Sequence, residues 1–123
     1  MTFTIPTRYP SLNEFITSNR ANRYKGASMK KKCQQEAYIA IKQAKLQRVT
    51  KYPIRLKITW YEPNKRRDLD NITYASKFIN DALVQAKVLE DDSQKYVVGI
   101  DNEVLVDNKK PRIEVEIKEV QNE

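Results

Sequence analysis

Four aspartates stand at intervals that could support chemistry. Asp68 and Asp70 lie in Lys65-Arg66-Arg67-Asp68-Leu69-Asp70-Asn71, and Asp91 and Asp92 lie in Leu89-Glu90-Asp91-Asp92-Ser93. Carboxylates converging beside cations form a hard oxygen-donor site of the kind that holds Mg²⁺ or Mn²⁺. Phosphodiester hydrolysis is a reaction such a site serves. A metal lowers the pKa of the attacking water, and positive charge meets the negative charge that builds on the phosphate. Lys77, in the same stretch, can supply part of that charge. The same residues also have plainer uses. Asp68 can cap a helix, and Asp70 can sit in its first turn. Asp81 can pair with Lys77, and Asp91-Asp92 can be an acidic turn. Spacing alone leaves these readings open.

Other chemistries are narrowed by what the chain lacks. It contains no histidine, which removes Ser-His-Asp and Cys-His catalysis and most zinc sites. Gly26 and Gly99 are its only glycines, so no Gly-rich loop can cradle phosphates. Cys33 is the single cysteine, so no internal disulfide forms. Its neighbours Lys30-Lys31-Lys32 would lower a thiol pKa, although a helix residue without chemical role is the simpler reading. No apolar run is long enough for a membrane span and no signal peptide opens the chain, so a cytoplasmic protein without membrane contact is expected.

Charge is distributed unevenly. Residues 1–60 carry 13 Lys and Arg against only Glu14 and Glu36, whereas residues 61–123 carry 10 against 14 Asp and Glu. A basic half joined to an acid-rich half suits a polyanion-binding surface around a carboxylate site. In the segment 7–25, Tyr9, Phe15 and Tyr24 stand among Arg8, Arg20, Arg23 and Lys25. Aromatics between cations can stack bases and contact phosphates, or can pin a loop to the core.

The elements that must position these groups follow from periodicity. Residues 2–6 alternate as a short strand, and residues 7–25 read as irregular. Residues 27–46 read as a helix, capped by Ser28, with Ala37, Ile41 and Ala44 on one face and Lys30, Lys31, Lys32, Lys42 and Lys45 elsewhere. Residues 54–61 form a half-buried strand with Ile54, Leu56, Ile58 and Trp60 inward. A helix then opens near Asp70 and runs to about Ala86, its core face formed by Ile72, Ala75, Ile79, Ala82, Leu83 and Ala86. Asp70, Tyr74, Lys77 and Asp81 share the opposite side. Residues 96–106 and 112–119 read as strands joined by a turn at Asn108-Lys109-Lys110-Pro111. The order predicts a single α/β (α+β) domain over residues 1–123: a small mixed sheet of about four strands packed with two main helices.

Taken together, Arg66-Arg67-Asp68-Leu69-Asp70-Asn71, then Asp81-Ala82-Leu83, then Asp91-Asp92-Ser93-Gln94 resemble the RusA family of crossover junction endodeoxyribonucleases, or Holliday junction resolvases. These enzymes occur in bacteria, phages and prophages. Pro10-Ser11-Leu12-Asn13 is similar to that family's Pro-Ser-x-Asn segment, and the strand ending at Glu62 and the final strand follow its order. The resemblance covers nearly the whole chain. It implies a homodimer that binds four-way DNA junctions and makes paired symmetric nicks with Mg²⁺, with Mn²⁺ as a substitute, in DNA recombination and repair. The family's metal-binding aspartates fall on Asp68, Asp70 and Asp92, with Asp91 assisting or flanking.

The family's catalytic lysine falls on Tyr74 when counted forward from Asn71, and on Lys77 when counted back from Asp81. The difference is close to one helical turn, and only Lys77 supplies a cation. Lys65, Arg66 and Arg67, with Lys30, Lys31, Lys32, Arg20 and Arg23, are expected on the DNA backbone, so binding should weaken steeply with salt. The alternative reading is a non-catalytic protein that binds branched DNA or other nucleic acid on the same scaffold.

Overall fold

A computed structural model describes residues 1–120 of the 123-residue chain. Its elements are β1 (Thr2–Ile5), α1 (Leu12–Ala21), α2 (Arg23–Gln43), β2 (Ile54–Glu62), α3 (Leu69–Thr73), α4 (Ser76–Gln85), β3 (Val97–Val106) and β4 (Arg112–Glu119). The alternation of β2 has the predicted consequence: Ile54, Leu56, Ile58 and Trp60 are all at most 2 % exposed. Each fully buried aliphatic side chain contributes about 1.5–3 kcal/mol. β2 is therefore the strand on which the other layers settle.

The sheet runs in the order β1-β4-β2-β3. β4 is antiparallel to both β1 and β2, whereas β2 and β3 are parallel. A parallel pair needs a crossover, and here that crossover carries α3 and α4. The helices cover one face of the sheet. On the other face Arg55 pairs with Asp101 at 3.0 Å, and the Arg112 guanidinium lies 3.8 Å from the centre of the Tyr61 ring. Part of the acid-rich second half is therefore spent on the open face of the sheet, away from Asp68. The expected mixed four-stranded α+β architecture is present.

Three boundaries differ from the sequence reading. Residues 7–25 are not irregular, because α1 occupies Leu12–Ala21 and α2 begins at Arg23 rather than residue 27. Ser11 caps α1 by accepting from the Glu14 amide at 3.1 Å, and its hydroxyl donates to the Glu14 carboxylate at 3.2 Å. Asn22 caps α2 by accepting from the Tyr24 amide at 2.8 Å. The two helices approach closely through Gly26, where a Cβ would come within 2.5 Å of Asn19 Oδ1 and 3.0 Å of Asn19 Cα. α2 ends at Gln43, so Ala44 is exposed while Cys33 and Ala40 join Ala37 and Ile41 in the core.

The helix predicted to run to Ala86 is broken. Around Tyr74 and Ala75 the backbone tightens into i→i−3 hydrogen bonds, with Lys77 N–H to Tyr74 O at 3.4 Å and Phe78 N–H to Ala75 O at 3.0 Å. This break separates α3 from α4. No described helix is long and apolar enough to cross a membrane.

Candidate active site

The segment 63–68 hangs between the end of β2 and α3, and buried ionic contacts fix where it starts. Glu62 ends β2 and is only 3 % exposed. A buried carboxylate requires partners. Arg8 supplies one at 2.7 Å, and Arg67 approaches at 3.7 Å. Arg67 also donates to Tyr9 O at 2.8 Å and to Glu14 at 2.9 Å. Its side chain is half-buried and fully committed. Arg67 is therefore a clamp that joins the N-terminal segment to the residue before Asp68, and these contacts occupy the guanidinium that was expected on DNA. Lys65 and Arg66 remain exposed and make no ion pair among the described residues.

A second set of contacts orients α3. The Asn13 amide donates to Asn71 Oδ1 at 3.2 Å, and the Tyr74 hydroxyl donates to Pro10 O at 2.6 Å. Pro10-Ser11-Leu12-Asn13 thus seats directly on the helix that opens at Asp68. Tyr74 also packs against Phe15 and Phe78, with ring centres 6.1 and 5.7 Å away. Burial raises its phenol pKa above the ordinary tyrosine value. The expected stripe of Asp70, Tyr74, Lys77 and Asp81 is broken by this turn. Tyr74 faces inward, which leaves Lys77 as the cation for this site.

Asp68 stands at the N-cap of α3, yet its side chain makes no capping hydrogen bond. Asp70 lies in the first turn. Both are exposed, and neither carboxylate has a hydrogen bond or ion-pair partner among the described residues. Asp68 and Lys65 line a cavity of about 600 Å³ between α3 and β3, whose far wall is Val104, Leu105 and Val106.

The other two acidic groups behave differently. Lys77 Nζ lies 3.0 Å from Asp81 Oδ1 and 3.2 Å from Asp92 Oδ2. Hydrogen bonds that it donates to Asp81 and then Asp92 raise the lysine pKa, so it stays charged. Lys30 Nζ reaches the other oxygen of Asp81 at 4.0 Å, linking α2 to the same cluster. Asp91 Oδ1 accepts from the Asp92 amide at 2.8 Å, a turn contact that leaves Asp91 exposed and flanking. Val88 and Leu89 are buried, and the Glu90 amide donates to the Tyr52 hydroxyl at 3.0 Å, so the stretch leading into this turn is anchored.

The acidic residues thus divide into a free pair, Asp68 and Asp70, and an ion-paired cluster, Lys77, Asp81 and Asp92. Among the described residues no three His, Cys, Asp or Glu side chains form a grouped metal-ligand set. The donor chemistry nevertheless suits a hard divalent cation. Mg²⁺ usually takes only one or two carboxylates, with water and substrate phosphate completing its shell, and Asp68 and Asp70 are unspent oxygen donors.

The cationic residues predicted for DNA contact lie mainly on α2. Arg23, Lys30, Lys31 and Lys32 are exposed along it, and Arg20 is exposed at the end of α1. Of the interleaved aromatics, Tyr9 is buried and Phe15 half-buried, whereas Tyr24 is 72 % exposed with the Arg23 guanidinium 5.3 Å from its ring centre. Stacking on bases is open to Tyr24 alone among the three. Sequence reasoning missed the anchoring roles of Glu62 and Arg8. Glu62 had one legible signal, a carboxylate on the inward phase of an apolar alternation.

No curated protein matches the chain. The family described as Endodeoxyribonuclease RusA matches residues 6–118. That span takes in α1 through all but the last residue of β4, and with it every group of the site just described. The chain belongs to the RusA endodeoxyribonuclease family.

Proposed function

We propose that this protein is a Mg²⁺-dependent endonuclease that resolves four-way DNA junctions by paired phosphodiester hydrolysis. It acts as a homodimer in recombination and repair, in the cytoplasm of a bacterial or phage-infected cell. The observation that carries this reading is the pair Asp68 and Asp70, exposed and without protein partners at the head of α3, in a chain of the RusA family. Two opposed cuts need two such sites, which is the reason for a dimer.

Asp68, Asp70 and Asp92 would hold the ion, with Asp91 flanking. Bound there, it supplies positive charge to the scissile phosphate and acidifies the attacking water. Lys77 holds a permanent positive charge beside Asp92 and offers it to the phosphate as negative charge builds. Arg67, held by Tyr9 O and Glu62, fixes the loop from which Asp68 projects. Lys65, Arg66 and the exposed cations of α2 attract the phosphate backbone.

One observation favours a second reading, a branched-DNA-binding protein that does not cut. Asp92 is already engaged by Lys77, so the third carboxylate is not free. The two readings part on a labelled synthetic four-way junction run beside linear duplex, with Mg²⁺ and with EDTA, and with Asp70→Asn in parallel. Paired nicks in the junction alone, dependent on Mg²⁺ and lost in the variant, establish the nuclease. Junction binding without cleavage in Mg²⁺ or Mn²⁺ establishes the binding protein.

A further inference from the structure

On the other side of Arg67 from Asp68 lies a cavity of about 540 Å³ that the cleavage chemistry does not use. Its size falls in the range of small-ligand pockets, roughly 300–1,000 Å³. One wall is a stripe of α2 in which Lys25, Met29, Lys32 and Glu36 recur at i, i+4, i+7 and i+11. The facing wall is the segment running from Thr7 to Pro10, and Arg67 and Glu14 close one end. The cavity adjoins the candidate active site because Arg67 also lines the cavity that holds Asp68.

The lining divides by chemistry. Lys25 and Lys32 are exposed at the rim, and neither has a carboxylate within ion-pair distance among the described residues. Arg8 also lines the cavity, with its guanidinium held by Glu62 at 2.7 Å. The two lysines call for an anion. Met29 is half-buried and Pro10 adds an apolar surface, so part of the interior suits a flat apolar ring. Glu36 is half-buried with no ion-pair partner among the described residues, and burial raises its pKa. A carboxyl group there can accept from an exocyclic amine, as acidic side chains do from cytosine.

From the cavity's size and lining we infer that it takes one unpaired nucleotide of the DNA substrate, its phosphate on Lys25 and Lys32, its base between Met29 and Pro10. This rests on DNA being the substrate, but not on cleavage. A four-way junction offers such a nucleotide where strands exchange and stacking is interrupted, so extrusion there costs less than from a duplex.

The test is a titration of the isotopically labelled full-length chain, without metal, followed by amide NMR shifts and by affinity. The probes are a 5′-phosphorylated single-stranded deoxycytidine trinucleotide, its abasic counterpart, deoxycytidine monophosphate and inorganic phosphate. The trinucleotide is expected to shift amides along Lys25–Glu36, and to bind about tenfold more tightly than the abasic probe, since one stacked and paired base is worth about that factor. Lys25→Glu with Lys32→Glu, both at exposed positions, is expected to weaken the trinucleotide about tenfold or more while the circular dichroism and Tm stay unchanged. Equal binding of inorganic phosphate or of the abasic probe overturns the proposal and leaves a plain anion site. Equal binding of the monophosphate also overturns it and assigns the cavity to a free nucleotide. Shifts confined to other surfaces overturn it outright. Because no metal or cleavage enters, a protein that cuts junctions but gives no shifts along α2 keeps its nuclease reading and loses only this site.

Discussion

The Lys77 ammonium donates to Asp92 Oδ2 across 3.2 Å and ties α4 to the turn that precedes β3. The same nitrogen lies 3.0 Å from Asp81 one turn further along α4. Asp92 is the carboxylate that the family resemblance assigns to metal binding, whereas Asp81 is not. Lys77 therefore has one partner that a metal would claim and one that it would not. Were Asp92 to turn to an ion, Asp81 would keep the lysine in place.

Asp81→Asn should accordingly slow single-turnover cleavage of a four-way junction by about tenfold, about 1.4 kcal/mol of barrier. Junction affinity should stay the same. The Lys77 end of the pair is exposed to solvent and Asp81 is half-buried; i,i+4 pairs near the surface contribute only about 0.3–0.5 kcal/mol, so the Tm should barely move. Lys77→Ala should cost more rate than Asp81→Asn, and Lys77→Arg should restore part of it. An Asp81→Asn enzyme that cuts at the wild-type rate would remove the positioning role.

Tyr74→Phe separates the two residues that could have held the catalytic-lysine position. The hydroxyl donates to Pro10 O at 2.6 Å and is half-buried, and burial raises its pKa, so the phenol stays protonated across the working range. Its loss should lower stability by about 1 kcal/mol in urea unfolding, because the Pro10 carbonyl loses its donor. Junction cleavage at 25 °C should persist. A stable but inactive Tyr74→Phe protein would assign the phenol a chemical role.

The fold was legible wherever burial alone dictated the pattern. β2 alternates because one of its faces meets helices and the other does not, so Ile54, Leu56, Ile58 and Trp60 could be placed inward without knowledge of any partner. α1 was legible as well, in Ser11 and Glu14, but the aromatic and cationic residues around it drew the segment toward a loop. The break at Tyr74 and Ala75 was not legible. Ile72, Ala75, Ile79, Ala82 and Leu83 suit one continuous helix as well as two, and what turns Tyr74 inward is Pro10, 64 residues away. Arg67 shows the same limit. In a run of three cations it is indistinguishable from its neighbours until Glu62, Tyr9 and Glu14 are brought to it by the fold. The free state of Asp68 and Asp70 depends on the absence of such partners, which spacing cannot reveal.

The lysines before Cys33 do not activate it. Burial pushes its thiol up from 9.0 to about 11, and the nearby Glu36 adds to this against the weaker pull of Lys32. A raised native pKa stabilises the fold fully below the unfolded value, and that contribution disappears as pH climbs from about 9 through about 11. Near pH 8 the native thiol should hold roughly a hundredfold less thiolate than the unfolded one. Alkylation of the native protein should therefore be slow at pH 8 and accelerate only toward pH 11, while the urea-unfolded chain reacts at once. A native rate that levels off near pH 9 would show an ordinary exposed thiol instead.

Arg66 and Arg67 are adjacent and identical in type, yet the structure gives them opposite surroundings. Arg66 is exposed, with its amide held by Asn64 Oδ1 at 3.0 Å and its guanidinium uncommitted among the described residues. Arg67 spends its guanidinium on Tyr9 O, Glu14 and the buried Glu62. Arg67→Ala removes one of two cations from that buried carboxylate and leaves a carbonyl unpaired, so it should cost about 2–3 kcal/mol in urea unfolding. Arg67→Lys should recover only part of this, because an ammonium cannot span three acceptors as a planar guanidinium does. Arg66→Ala should leave stability within about 0.5 kcal/mol. In junction binding the roles should reverse. Arg66→Ala should weaken affinity and reduce the slope of log K against log salt by about one. Arg67→Ala, measured at a temperature where it stays folded, should keep the wild-type slope. A reduced salt slope in Arg67→Ala would mean that the clamp opens onto DNA, and the assignment of this residue to the fold would fall.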